Sequence, residues 1–297
     1  MLKFPALFCI IMANVARSAS EKYVDLGHDI FEGPMQWPGS LPYKRVDARK
    51  GFSDSGYWYE TNSFCSSEHY GTHLDSPSHF AEGKWTVDQI PLTHLMGPGV
   101  VIDIQAKVEE DPNAELTTDD LMEWLGEHGP LPDGVILLLR TGWGTRFGNR
   151  TAYYGTDGND TSKLAFPGFS PGAAQLLVGY EAATGRRVFG VGLDTPSLDY
   201  GPSTLFTSHV EFSSANIFGL ENVANLKKLP TTGFHLTVMP MKIKGGSGAP
   251  ARIIATLPEV RSASIPTQRD SSATSLITKA SLHYYMGVIL LLLQGCI

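Results

Sequence analysis

The chain has 297 residues, of which 42% are hydrophobic and 18% are charged. This composition is typical of a globular protein with one large or two small domains and a sizeable core. The net charge of -7 at pH 7, without any run of Lys or Arg, excludes nucleic acid and anionic membrane surfaces as expected partners.

The N-terminal segment, residues 1–20, is predicted to be a secretory signal peptide. Lys3 precedes an apolar stretch over residues 4–12, and small residues follow it. Cleavage is expected near Ala19 or Ser20. The protein is therefore predicted to be secreted.

Residues 21–258 are predicted to form a single α/β domain, because no linker or fixed-period repeat divides them. Short apolar runs between turn signals predict strands. These runs cover residues 100–104, 135–139, 188–193, 234–243 and 252–257. One helix is predicted over residues 121–125 after Thr118 and Asp119, and another runs from the Ser170 cap to Ala183, with Gly185 as its stop.

One eleven-residue segment concentrates potential metal ligands. His69, His73, Asp75 and His79 all occupy odd positions, so an extended backbone would direct them to one side. Four potential ligands in one small volume predict a metal site. Pro77 is expected to end regular pairing and bend the chain, so that His79 lies apart from the other three. The bend suggests two tasks, ligation and proton transfer.

Cysteines and glycosylation motifs fit an exported protein. Cys9 lies in the predicted signal peptide and Cys296 at the C-terminus, which leaves Cys65 without a disulfide partner. A core of this size does not require a disulfide. The sequons that begin at Asn149 and Asn159 predict a glycosylated surface loop.

A second pair of candidate ligands, His209 and Glu221, lies far downstream. Taken alone the pair predicts little. A histidine is as often a satisfied core residue, and the charge of a glutamate also favours the first turn of a helix.

The C-terminal segment, residues 286–297, is apolar but shorter than the roughly 20 residues of a membrane-spanning helix. A flexible stalk is predicted over residues 259–285. The small residues Ser271, Ser272 and Ala273, about twelve residues before the tail, predict a GPI-anchor signal and hence a location at the cell surface. The alternative is an apolar C-terminus that packs on the core.

The segment from His69 to His79, with the pattern His-x-Gly-Thr-His-x-Asp-x-Pro-x-His, resembles the signature of the metal-dependent cyclase family, which includes bacterial kynurenine formamidase and isatin hydrolase. Shorter segments along residues 23–258 also fit this family. They are Asp25-Leu-Gly-His28, Arg140-Thr-Gly-Trp143, Gly192-Leu-Asp194-Thr-Pro-Ser197 and Gly245-Gly-Ser-Gly-Ala-Pro250. The resemblance implies a swivelling β/β/α fold in a single domain and a homodimer.

The resemblance also implies a set of ligands. His69, His73 and Asp75 are expected to bind one divalent metal, and Asp75 to bridge to a second metal held by His209 and Glu221. Isatin hydrolase is similar but has a glutamine in place of Glu221 and uses one manganese. The glutamate favours two zinc ions, because a carboxylate helps to offset the charge of a second cation. Histidine and carboxylate ligands suit zinc or manganese, so the metal stays open.

Two further roles follow from the resemblance. His79 is expected to be a proton shuttle, worth about 10²- to 10⁴-fold in rate. The alternative is that His79 is a third histidine ligand. Trp37 is expected to pack against an aryl substrate by ring stacking, and ordinary core packing is the alternative.

Such a site implies a hydrolase, because a divalent cation can lower the pKa of water from about 15.7 to roughly 7. The expected reaction is hydrolysis of an arylformamide such as N-formylkynurenine to formate and the free amine. Opening of a cyclic amide or lactone such as isatin is the close alternative. A rival from another class is a catalytically retired cell-surface binding protein, whose mark would be the loss of His79 or of a ligand. The sequence retains all of these residues.

Overall fold

The structure is a computed structural model that describes residues 22–258. The predicted signal peptide, stalk and C-terminal tail lie outside the described residues. Residues 22–258 form a mixed α/β domain, as predicted. No helix within this range is long and apolar enough to cross a bilayer.

The described residues form twelve strands and six α-helices. The strands are β1 (Lys22–Asp25), β2 (Lys44–Phe52), β3 (Trp58–Cys65), β4 (His73–Asp75), β5 (Met96–Asp103), β6 (Glu115–Leu116), β7 (Val135–Arg140), β8 (Gly168–Phe169), β9 (Val188–Leu193), β10 (Phe218–Glu221), β11 (Phe234–Pro240) and β12 (Gly248–Leu257). The helices are α1 (Gln105–Glu110), α2 (Thr118–His128), α3 (Arg150–Tyr154), α4 (Pro171–Val178), α5 (Tyr180–Thr184) and α6 (Thr207–Ser214).

The main sheet is closed on itself. Eight strands follow the order β1-β12-β11-β5-β7-β9-β10-β4, and β4 also pairs with β12. This second pairing closes seven strands into a barrel-like ring, with β1 attached to β12 outside it. Neighbours from β5 through β7 and β9 to β10 are parallel, whereas β4, β11 and β12 pair in antiparallel fashion.

The two faces of the central strands belong to separate hydrophobic clusters. Leu137 and Leu139 pack in a cluster that includes Trp124 of α2 and other helical residues. Ile136 and Leu138 pack instead with the side chains of β10, β11 and β12, on the side enclosed by the ring. Because both faces are buried, these strands are continuously apolar rather than alternating.

All five predicted strands are present, with different bounds at some ends. Strand β11 ends at Pro240, before residue 243, and β12 begins earlier than expected, at Gly248. The helix predicted to end at Ala183 is two helices, α4 and α5, which meet at Gly179. Gly185 adopts a left-handed conformation after α5 and ends it as predicted.

Strands β2 and β3 form a separate antiparallel hairpin that sequence patterns did not reveal. Its aromatic side chains are largely exposed: Phe52 by 76%, Trp58 by 51%, Tyr59 by 53% and Phe64 by 53%. A two-stranded hairpin is marginally stable by itself in water. The hairpin therefore offers a large apolar surface that the described residues do not cover.

The predicted surface features lie at the surface. Both sequon asparagines, Asn149 and Asn159, are exposed to solvent. Their glycosylation stays a prediction. Cys65 is a free, exposed cysteine at the end of the hairpin.

A buried arginine anchors the segment that carries Trp37. The guanidinium of Arg150 donates hydrogen bonds to the carbonyl oxygens of Pro34 and Gln36, at 2.6 and 2.8 Å, and further bonds to Asp157 and Gly158. These bonds tie α3 to the loop before Trp37.

We expect Arg150→Ala to lower the free energy of unfolding by about 3 kcal/mol, because several buried carbonyl groups lose a charged donor. Chemical denaturation measures this change. Arg187→Ala is the control, since Arg187 makes an exposed ion pair with Asp133 and should cost much less. Equal losses in the two variants would contradict an anchoring role for Arg150.

Candidate metal centre

The candidate site lies on β4, which is paired on both sides. Glu221 of β10 is the cross-strand partner of His73, so their side chains meet on one face. Asp75 has glycine partners on both neighbouring strands, Gly219 and Gly248. A side chain at Gly248 would contact the ring of His69, with its Cβ 2.5 Å from Cε1. Because both cross-strand partners of Asp75 are glycines, there is room around its carboxylate.

Asp75 is at the centre of the polar cluster. Its Oδ1 lies 2.6 Å from His69 Nδ1 and 3.1 Å from His73 Nε2. Its Oδ2 lies 3.4 Å from His209 Nε2, which is also 3.0 Å from Glu221 Oε1. The structure thus brings all of the predicted ligands together, including the pair that is distant in sequence.

Two groups of potential ligand atoms share Asp75. His69, Asp75 and His79 each offer an atom within 4.8 Å of the others, and so do His73, Asp75 and Glu221. Asp75 is therefore common to both groups, and its bridging role stays a prediction. The grouping differs from the expectation in three respects. His73 lies with Glu221 rather than with His69, and His79 joins His69. His209 belongs to neither group, although its Nε2 lies 3.0 Å from Glu221 Oε1.

The electrostatics of the cluster favour a positive charge. Burial alone would lower the pKa of His73, but the carboxylates of Asp75 and Glu221 outweigh it and raise this pKa to about 10. Burial likewise opposes the charge on His209, yet Asp199, Asp75 and Glu221 raise its pKa well above the usual value. Burial would raise the pKa of Asp75, but the histidines hold it well below its usual range.

The donor set fits a divalent cation. His73 Nε2 is buried without a hydrogen-bond partner, although it lies 3.1 and 3.4 Å from carboxylate oxygens. Imidazole and carboxylate groups are the ligands that zinc and manganese use in proteins. A cation in this cluster would take the place of the protons that the acidic groups attract.

Hydrogen bonds on the outer side orient two of the histidines. His73 Nδ1 lies 2.9 Å from the Gly71 carbonyl oxygen, which leaves Nε2 directed into the cluster. His209 Nδ1 lies 2.6 Å from Asp199 Oδ2, and its Nε2 faces Asp75 and Glu221. Such outer partners fix the tautomer of a ligating histidine. Sequence analysis missed Asp199, which lies two residues beyond the family-like segment at residues 192–197.

The predicted separation of His79 was wrong. A 3-10 turn over Pro77–His79 follows β4 directly and brings His79 back over the cluster. Its ring stacks on His69 with the centroids 4.1 Å apart. Packing around this ring lowers the pKa of His79 despite its exposed position.

The expected extended backbone is also limited to β4. Gly71 has a positive φ of 67°, and the chain before His73 turns rather than continuing the strand. A turn, not a strand period of two, therefore places His69 beside Asp75.

Trp37 lines the same cavity of about 210 Å³, together with His79 and Asp75. Phe80, Tyr154 and Phe206 line it as well. Trp37 makes edge-to-face contacts with Tyr154 and Phe206, at centroid distances of 6.3 and 6.5 Å. The cavity therefore combines an aromatic wall with the polar cluster.

The family model described as "Putative cyclase" matches residues 24–200. The chain belongs to the cyclase family. Among curated cyclase-family relatives, it is 30% identical over 238 residues to an isatin hydrolase of Roseibium aggregatum, covering 77% of this chain and 87% of that protein. It is also 30% identical over 233 residues to a kynurenine formamidase of Geobacillus thermodenitrificans, covering 77% of this chain and 95% of that protein.

Solved cyclase-family structures share the fold. Isatin hydrolase A from Labrenzia aggregata, bound to benzyl benzoate, superimposes with a TM-score of 0.71 at 30% identity, covering 80% of this chain and 94% of that one. Isatin hydrolase A from Ralstonia solanacearum gives a TM-score of 0.71 at 31% identity, covering 86% and 99%. The predicted family and fold are confirmed.

Proposed function

We propose that the protein is a metal-dependent amidohydrolase that hydrolyses an arylformamide such as N-formylkynurenine. The reaction adds water to the formyl carbonyl and yields formate and the free amine. One observation carries the proposal: the buried histidine and carboxylate cluster opens into the same cavity as His79 and an aromatic wall. The relatives named isatin hydrolase and kynurenine formamidase support hydrolysis of a small amide.

The cluster would hold the metal through His69, His73, His209, Asp75 and Glu221. When bound, a divalent cation supplies Lewis acidity, which polarises a carbonyl group and makes water more acidic. The chain keeps the ligand atoms in place before binding. Asp199 and the Gly71 carbonyl orient two of the imidazoles, so little reorganisation is required.

We propose that His79 carries a proton at the mouth of the site. Its lowered pKa favours the neutral imidazole, which accepts a proton from the attacking water. The protonated ring then returns this proton to the leaving nitrogen. His79 also lies within ligand distance of His69 and Asp75, so the alternative role as a ligand has a direct test, given in the Discussion.

The aromatic wall would bind the aryl part of the substrate. Trp37, Phe80 and Phe206 line the cavity, and the ring centroids of Phe80 and Phe206 are 5.4 Å apart. Flat rings pack well against such surfaces, with about 0.5–1.5 kcal/mol for each favourable aromatic pair. Trp37 is therefore proposed as a substrate-binding residue.

A cyclic amide such as isatin is the second candidate substrate. The similar structures of isatin hydrolases support it, including one bound to the product analogue thioisatinate. Glu221 supports the arylformamide as the main candidate, with two zinc ions, because its carboxylate offsets more positive charge than the glutamine expected in isatin hydrolase would. One manganese ion remains the alternative metal content.

Parallel assays test the proposal. The full chain, loaded with zinc or manganese, is supplied with N-formylkynurenine and with isatin, and formate or ring-opened product is measured. We expect metal-dependent hydrolysis of at least one substrate, with the formamide preferred. A metal-loaded protein that hydrolyses neither would support the retired binding protein instead.

We further propose that the protein is a homodimer in which the β2–β3 hairpin contacts the second copy. Its exposed aromatic surface supports this arrangement, since large exposed apolar patches mark interaction sites. Light scattering should give a dimer mass for the native chain and a monomer mass for Trp58→Glu. Leu92→Glu, at an exposed leucine outside the hairpin, is the control and should remain dimeric. A native monomer would contradict this assignment.

We propose secretion and a GPI anchor on the basis of the terminal sequences alone, because both segments lie outside the described residues. Release of the protein from cells by a phospholipase specific for such anchors would support this location.

A further inference from the structure

The three histidines of the cluster do not direct the same ring nitrogen inward. His73 and His209 have Nδ1 bound on the outside and Nε2 facing the carboxylates. His69 is reversed, because its Nδ1 faces Asp75 Oδ1 at 2.6 Å. Its outer nitrogen is Nε2, which lies 3.0 Å from the hydroxyl oxygen of Ser247.

The hydrogen bonds of Ser247 determine which nitrogen of the His69 ring carries a proton. The hydroxyl of Ser247 donates to Glu68 Oε2 at 2.8 Å, and the Ser247 backbone N–H donates to the same oxygen at 2.9 Å. A serine hydroxyl has a single hydrogen. Once this hydrogen is directed at Glu68, the oxygen can only accept from His69. A proton of His69 is then held on Nε2, which leaves Nδ1 as the ring nitrogen available to a metal in the cluster.

The loop around Ser247 packs closely against the ring of His69. Gly248 packs so closely that a Cβ would lie 2.5 Å from His69 Cε1. The Ser247 carbonyl accepts from the backbone N–H of Ser76 at 2.9 Å, which ties this loop to the end of β4. The hydroxyl of Ser247 is therefore held where it meets Nε2.

We propose that Ser247 and Glu68 are positioning residues that keep His69 in the Nε2–H tautomer, so that Nδ1 is its metal-binding atom. This inference deepens the proposed function and rests on it. Asp199 fixes the tautomer of His209 through a direct contact between its carboxylate and the ring. The carboxylate of Glu68 fixes the tautomer of His69 through the hydroxyl of Ser247, which lies between them.

Zinc affinity provides the first test. Ser247→Ala removes the hydroxyl but keeps the backbone N–H that binds Glu68. We expect the dissociation constant of at least one zinc ion to rise about 10- to 100-fold, measured by competition with a chromogenic chelator. The matched control is Asp88→Asn, because Asp88 accepts the N–H of Gly245 in the same loop without touching His69. This control should bind zinc like the native chain.

The outcomes separate this inference from the proposed function. A native chain that binds neither zinc nor manganese would refute the proposed function itself. Two other outcomes would overturn only the positioning role. In the first, the native chain and Ser247→Ala bind zinc with the same affinity. In the second, Asp88→Asn weakens zinc binding as much as Ser247→Ala does.

Nitrogen-15 NMR of the histidine side chains provides the direct readout. In the zinc-loaded native chain, His69 is expected to show the Nε2–H tautomer with the metal on Nδ1. In Ser247→Ala, this Nε2 proton should exchange faster with water, a change that a merely structural role would not produce. A zinc-loaded His69 with its proton on Nδ1 would overturn the proposal.

Discussion

Asp75→Ala is expected to remove the bound metal and the hydrolase activity together. Asp75 is the only residue common to both groups of ligand atoms, and its two oxygens approach three histidines among the described residues. Loss of Lewis-acid catalysis corresponds to a fall in kcat/KM of about 10³-fold or more. Elemental analysis of the purified variant and the hydrolysis assay measure the two effects.

Asp133→Ala is the matched control for this variant, because Asp133 is an exposed aspartate that pairs with Arg187 away from the cluster. It should retain full metal content and activity. Circular dichroism of Asp75→Ala should show native secondary structure. An Asp75→Ala protein with full metal occupancy would contradict the bridging role.

His79→Ala is expected to leave the metal in place while kcat falls by about 10²- to 10⁴-fold. The reason is that His79 stacks on a proposed ligand at the exposed mouth of the site, where it can exchange a proton with substrate. Turnover and metal content are measured on the same preparation.

His128→Ala is the control for the removal of an imidazole, since His128 ends α2 outside the cavity. It should change neither quantity. Parallel loss of metal and turnover in His79→Ala would instead identify His79 as a ligand, the alternative that its distance to Asp75 allows.

Much of the site could be predicted from residue types and spacing. A dense group of histidines around Asp75 is rare enough to indicate a metal site by itself. The role of His209 and Glu221 required the family resemblance, because the fold that joins them to β4 involves long-range strand pairing. Buried parallel strands such as β7 and β9 were visible as continuous apolar runs, since both of their faces are covered.

The remaining features depend on tertiary structure that local patterns do not encode. Strand β4 has only three residues and pairs with both β10 and β12, so no periodicity could reveal it. The 3-10 turn that follows β4 brings His79 onto the ring of His69, whereas the sequence predicted that His79 would lie apart from the cluster. The contact between His69 and Ser247 joins residues separated by 178 positions, and only the closed ring brings them together.

The most direct test of the central claim is a crystal structure of the zinc-loaded chain with anomalous diffraction data collected at the zinc edge. The account predicts anomalous peaks beside Asp75, with His69 bound through Nδ1 and with His73 and His209 bound through Nε2. Absence of any peak in this cluster from a protein shown to contain stoichiometric zinc would contradict it.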